Sequence, residues 1–202
     1  MIHTVDGQTI SLTAPSTVCA SQLFSIDVSS SQKIYFKLDV STDNGTTWDP
    51  GNIVNATVRS GTNINYTSTY SGISITQTTR FQIRYSLASD FSNPQVYEPP
   101  GGLIVTLYPT PIISDILSGP ATVICSGNTF TVTPQDGSGN IVPTGTTYTW
   151  ILNDNINITG ESNQSIGQPN ISQTLINTSN IVQTVNYAVT PKSSNGCSGD
   201  RS

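Results

Sequence analysis

The strongest constraint on this 202-residue chain is that it repeats itself. Pro15 to Val28, PSTVCASQLFSIDV, matches Pro120 to Pro134, PATVICSGNTFTVTP, as Pro, a small residue, Thr, Val, Cys and then a Phe among alternating residues. Further on, KIYFKLDV (Lys33 to Val40) parallels TTYTWILND (Thr146 to Asp154), and TQTTRFQIRYSL (Thr76 to Leu87) parallels NIVQTVNYAVTP (Asn180 to Pro191). The order is the same in both halves, so whatever one half folds into, the other folds into as well.

Period-two alternation says what that is. Phe24, Ile26 and Val28, then Ile34, Phe36, Leu38 and Val40, then Phe81, Ile83 and Tyr85 stand at every second position, as do Tyr148, Trp150 and Leu152 and then Val185, Tyr187 and Val189. Short alternating runs of β-branched and aromatic residues, broken by Gly, Pro and Asn clusters, specify half-buried antiparallel strands, and no segment keeps a helical period beyond one turn. The expected fold is all-β: two tandem immunoglobulin-like antiparallel β-sandwiches of about 100 residues each. The boundary falls in YPTPII (Tyr108 to Ile113), whose prolines stop strand pairing and stiffen the joint, giving domains at 1–109 and 110–202. The first half ends in a full strand, GGLIVTLYP, whereas the second stops at GCSGDRS. The second sandwich is therefore expected to lack its last strand and to leave an open sheet edge.

Charged residues make up 9% of the chain, with a formal net charge of -5. Thr, Ser and Asn replace them, as in many secreted and cell-surface β-proteins. The seven Lys and Arg are scattered, which argues against nucleic-acid binding. Nothing resembles a membrane span, so no membrane insertion is expected, and the start lacks the features of an export leader. A surface protein with such a start reads as an internal fragment of a longer chain, Met1 being an added residue.

The stretch Ser41 to Trp48, STDNGTTW, fits the sialidase Asp-box at every fixed position. Its chemistry is that of a turn: Asp43 caps local N–H groups, Asn44-Gly45 is a tight-turn dipeptide and Trp48 packs beneath. Sialidase chemistry needs more than one box, a Tyr nucleophile and an arginine cluster, and a glycosidase needs facing carboxyls, for which the glutamates are limited to Glu98 and Glu161. The one histidine is His3, so neither a Ser-His-Asp triad nor a His metal site can be assembled. No catalytic residue and no required cofactor is expected. Asp43, Asn44 and Asp49 in one loop, and Asp136 with Asn140 in the other half, supply hard oxygens suited to Ca²⁺, although turn chemistry explains the same residues. Trp48, Tyr66, Tyr70 and Tyr97 are candidates for glycan stacking, with Tyr66 and Tyr70, in the polar run INYTSTYSG, the best placed for an exposed surface. Trp150 is expected in the core.

Cys125 stands before one strand of the second half and Cys197 after another, which makes a Cys125–Cys197 bridge plausible in an oxidising compartment, the alternative being two reduced thiols. Cys19 occupies the position equivalent to Cys125 without a local partner, and is expected as a buried, inert thiol.

The spaced segments ICSGNTFTVTP, GTTYTWILN, ITGESN, ISQTLINTS, QTVNYAVTP and SNGCSGD make the second half similar to the PKD-like repeats of very large surface adhesins of gliding Bacteroidota. The first half resembles immunoglobulin-like modules of the same proteins, with Leu38 where those modules carry Trp. The resemblance implies a non-catalytic repeat fragment, stalk or adhesive, exported by type IX secretion to the exterior of the outer membrane and involved in surface attachment and gliding motility. Its implied partners are neighbouring repeats, the gliding and secretion machinery through the full-length protein, and a substratum or glycans. The alternative is a set of accessory glycan-binding or spacer modules of a secreted enzyme.

Overall fold

The computed structural model describes residues 3–5, 8–32, 34–50, 59–60, 66–88, 90–114 and 123–200. The chain divides into two compact units, Met1–Tyr108 and Pro109–Ser202. Among the described residues there is no helix, and none therefore crosses a membrane. Both units consist of mainly antiparallel strands.

Unit 1 holds β1 (His3–Val5), β2 (Gln8–Thr13), β3 (Thr17–Cys19), β4 (Phe24–Ser30), β5 (Tyr35–Ser41), β6 (Asp49–Pro50), β7 (Arg59–Ser60), β8 (Tyr66–Ile73), β9 (Thr79–Ser86), β10 (Gln95–Tyr97) and β11 (Leu103–Tyr108). One sheet has the order β1-β2-β4-β8; the other runs β3-β11-β9-β5-β6, with β10 also on β9 and β7 on β5. The alternation read in the sequence is what joins them. Ile26 and Val28 of β4 meet Phe36 and Leu38 of β5 and Phe81 and Ile83 of β9 in one core cluster, all six fully buried. Each such side chain contributes about 1.5–3 kcal/mol relative to exposure. Edge-to-face ring pairs, Phe24 on Phe81 at 6.1 Å and Phe36 on Tyr70 at 5.6 Å, link the two sheets. The pairing of β3 with β11 is parallel, Thr17 opposite Thr106 and Cys19 opposite Tyr108.

Unit 2 holds β12 (Thr129–Val132), β13 (Thr147–Leu152), β14 (Ile158–Thr159), β15 (Gln164–Gln168), β16 (Ile171–Thr174), β17 (Ile176–Asn177) and β18 (Tyr187–Lys192). Its pairings reproduce the repeat: β12 with β16 and β13 with β18 stand where unit 1 has β4 with β8 and β5 with β9. The orders are β12-β16, β15-β13-β18 and β14-β17. Tyr148 and Trp150 of β13, Ile171 of β16, and Tyr187 and Val189 of β18 form the core with Ile113. Phe130 and Trp150 both pack edge-on against Tyr187. In unit 1, β9 has strand partners on both sides, whereas β18 closes its sheet order with β13 as its strand partner.

Cysteine chemistry differs from the sequence expectation. Cys125 is a free, exposed thiol, so the Cys125–Cys197 bridge is not formed. Cys125 lies beside residues at the Tyr187 end of β18, lining the same cavity, whereas the Cys197 amide bonds to Ser193 Oγ just past the Lys192 end. Six strand residues separate those ends by about 17 Å, well beyond the roughly 7 Å reach of a disulfide between Cα atoms. Cys19 is itself disulfide-bonded and half-buried, so it is not the inert thiol expected.

Candidate functional site

The STDNGTTW segment is a closed turn. Asp43 Oδ1 accepts from Ser41 Oγ at 2.7 Å and from the Thr47 amide at 2.9 Å, while Oδ2 accepts from Thr47 Oγ1 at 2.6 Å. The Gly45 amide donates back to Ser41 Oγ at 2.7 Å. Asn44 and Gly45 take the left-handed conformation that the turn requires, at φ 58° and 88°. Trp48 lies against this turn: a side-chain carbon on Gly45 would meet its ring at 3.5 Å. The Thr47 hydroxyl, the Thr47 amide and the Ser41 hydroxyl together hold the Asp43 carboxyl down at about 2. Those donors occupy the lone pairs a calcium ion would need, and Asp49 sits in β6, its backbone paired with Val40. In the other loop, Asp136 Oδ1 accepts the Val142 amide, and Asn140 Oδ1 accepts from Ser114. Among the described residues no group of three His, Cys, Asp or Glu is placed to hold a metal ion.

Arg80, one of the arginines that sialidase chemistry would want free for substrate, ties this turn to its surroundings. Its Nε pairs with Glu98, which raises the guanidinium pKa, and its other arm reaches Asn44 at 3.4 Å. Gly102 makes room for it, since a side-chain carbon there would stand 2.7 Å from Arg80 Nε. The neighbouring Arg84 forks onto Asp39, Nε to Oδ2 at 2.7 Å and a terminal nitrogen to Oδ1 at 2.9 Å. Asp39 is 1% exposed, and Gln82 Nε2 adds a contact at 3.4 Å.

Among the described side chains the aromatic candidates do not form a platform. Tyr70 is 5% exposed and belongs to the core against Phe36, and Tyr97 is 4% exposed; both correct the surface expectation. Tyr66 lies in β8, and its side chain is outside the described residues. In unit 2, Trp150 is buried and donates from its indole to the Ser162 carbonyl at 3.0 Å. Tyr187 donates to Gln173 Oε1 at 2.7 Å, and Gln173 Nε2 donates to the same Ser162 carbonyl at 2.6 Å. Burial, with the charge of Glu161, pushes the Tyr187 hydroxyl up to about 12.

A feature that sequence reasoning missed lies in unit 2: an open cavity of about 690 Å³ between the inner faces of β12 and β16 on one side and β18 on the other. Phe130, Val132, Ile171, Tyr187 and Val189 line its walls. At its mouth Val123, Ile181 and Val182 are exposed, Val182 at 93%, beside the Cys125 thiol. The signal available in the sequence was NIV (Asn180 to Val182), an apolar pair outside any alternating strand.

Residues 121–201 match the PKD-like domain family. No curated protein matches the chain. PKD-like domains are common in extracellular and adhesin-like proteins.

Proposed function

We propose that this chain is a non-catalytic, load-bearing piece of a large cell-surface adhesin, its units serving as stalk or adhesive repeats in surface attachment and gliding motility. The observation that carries this reading is the parallel pairing of β3 with β11, one strand near the start of unit 1 and the other at its end. Once reductant has opened the disulfide at Cys19, tension on the two chain ends pulls these strands in opposite directions along their length. The bonds between them, including Thr106 N to Ser16 O at 2.9 Å and Ala20 N to Tyr108 O at 2.8 Å, are then loaded together instead of opening one by one. Such a clamp suits a chain that transmits force. The PKD-like match over 121–201 and the Asp-box residues spent on closing a turn support the same reading.

Pulling single chains by their ends in the presence of reductant, so that the force is not carried past β11 by the disulfide at Cys19, tests it. Unit 1 should give a high-force rupture, and Thr106→Pro, which removes the amide bonded to Ser16, should lower that force while leaving unit 2 unchanged. A low rupture force in the unaltered chain, or one unmoved by Thr106→Pro, would overturn the proposal.

A further inference from the structure

Unit 1 keeps the cations of its strands on one sheet. Lys37 stands on β5, Arg59 on β7, and Arg80 and Arg84 on β9, whereas the strands of the other sheet carry no Lys or Arg. Strand register sets Lys37 directly opposite Arg84, and Arg84 opposite Val96 of β10. Their sequence neighbours Phe36, Leu38, Ile83 and Tyr85 fill the core, so the row Lys37, Arg84, Val96 faces outward.

Like charges directly opposite each other on paired strands are destabilising, and this row has one counter-charge for two cations. Asp39 supplies it, and Arg84 takes both of its oxygens through Nε at 2.7 Å and Nη2 at 2.9 Å. The other terminal nitrogen of Arg84 and the Lys37 ammonium have no hydrogen-bond partner among the described residues, and no described carboxylate pairs with that ammonium. Arg80 differs, being spent on Glu98 and Asn44. Asp90, in the loop nearby, accepts the Ser92 amide at 2.9 Å.

The ammonium is also positioned. Phe91, between β9 and β10, takes a left-handed φ of 58°, which a bulky side chain adopts only where its surroundings impose it. Its ring lies 4.9 Å from Lys37 Nζ. Ser86 Oγ fixes the loop by donating to the Ser92 carbonyl at 2.6 Å. Two cationic donors on neighbouring strands are thus anchored from below, one by Phe91 and one by Asp39, with the 58% exposed Val96 beside them.

From this we infer that Lys37 and Arg84 form a seat for the carboxylate of an acidic polysaccharide. The Lys37 ammonium and Arg84 Nη1 each donate to a carboxylate oxygen, and the C–H face of the sugar ring lies on Val96. Charge complementarity fixes the sign of the ligand, and the face fixes its class. β9 is paired by β5 on one side and by β10 and β11 on the other, so no strand edge is open here to an extended peptide. A nucleic acid needs a run of cations along its phosphates, and a chain of formal net charge -5 repels so dense a polyanion. Unit 2 presents uncharged Thr149 opposite Thr190 on its corresponding strand pair, so the seat belongs to unit 1. It gives the adhesive repeat proposed above a ligand, and rests on that reading only for its place at a cell surface. The clamp lies in β3 and β11 and the seat on β5 and β9, so rupture force and binding fail separately.

Titration calorimetry of the full chain with an oligogalacturonate, a homopolymer of hexuronate, tests the seat, with the same oligomer fully methyl-esterified as its uncharged counterpart. Binding should weaken roughly tenfold on esterification and roughly tenfold in Lys37→Met, the loss of one hydrogen bond between charged groups. It should be unchanged in Lys192→Met, which removes the same charge from unit 2. Lys37→Met relieves the like-charge opposition to Arg84, so it should unfold at no lower a temperature than the unaltered chain. No binding of the charged oligomer, equal binding of its ester, or equal losses in Lys37→Met and Lys192→Met would each overturn the seat. So would a single-stranded oligonucleotide or an oligoglutamate of equal charge that binds as tightly as the oligogalacturonate and loses as much in Lys37→Met.

Discussion

Asp43 shows at the scale of one residue why a motif can be complete and still carry no catalysis. All its hydrogen bonds return to its own turn, and they stabilise its ionised form, which is why its pKa falls from the usual 3.8 to about 2. Because the folded value lies below the unfolded one, the contribution of this carboxylate to stability is complete above about pH 4. It is lost as the pH falls through about 2. An NMR titration of the Asp43 side-chain carboxyl should therefore give a midpoint near 2, and in the Thr47→Val protein the midpoint should move up toward the ordinary value. A midpoint near 4 in the unaltered chain would mean that the turn is open and the carboxylate available to a ligand. The turn was legible in the sequence because Ser41, Asp43, Gly45 and Thr47 each have a local job. Tyr70 was not, because its neighbours Ser68, Thr69 and Ser71 are polar and a register shift in β4 and β8, between the Phe24–Ile73 and Ile26–Tyr70 pairs, breaks the period that would have marked it as core.

Between elements, the pairing of β5 with β9 brings Asp39 opposite Gln82 and Lys37 opposite Arg84 on the face away from the core. Alternation predicts that this face is wet, yet Asp39 is buried, and the Arg84 fork is what makes an ionised carboxylate tolerable there. The alternating pattern assigned the strands and their inward residues correctly, but it reports only which face a residue occupies, not whether other parts of the chain cover that face. The energetic consequence is asymmetric. Arg84→Met strands a buried charge and should cost roughly 3–5 kcal/mol in denaturant unfolding, whereas the double change D39L/R84M, which removes both charges, should recover most of that loss. If the double variant is as unstable as the single one, the pair is held for packing instead of charge compensation. Lys37, 4.9 Å from the Phe91 ring, offers no substitute for the lost guanidinium, since its ammonium is already placed over the aromatic face.

On the scale of the whole molecule, the repeat was legible because two copies of one pattern report on each other: where unit 1 pairs β4 with β8 and β5 with β9, unit 2 pairs β12 with β16 and β13 with β18. The same reasoning misassigned the cysteines. Matching Cys19 to Cys125 by position says nothing about which end of β18 each neighbour occupies, and it is the length of that strand that keeps Cys125 away from Cys197. A chain matured in an oxidising compartment should consequently present a single thiol. Native protein without reductant should take up one equivalent of maleimide, on the peptide containing Cys125, because that thiol is exposed and free. Unfolding in guanidinium without reductant should leave the count at one, since Cys19 and Cys197 are disulfide-bonded and not merely hidden, and reduction should raise it to three. Three equivalents in the unfolded, unreduced chain would show that burial alone protects Cys19 and Cys197. One equivalent on a peptide other than that of Cys125 would restore a bridge at Cys125.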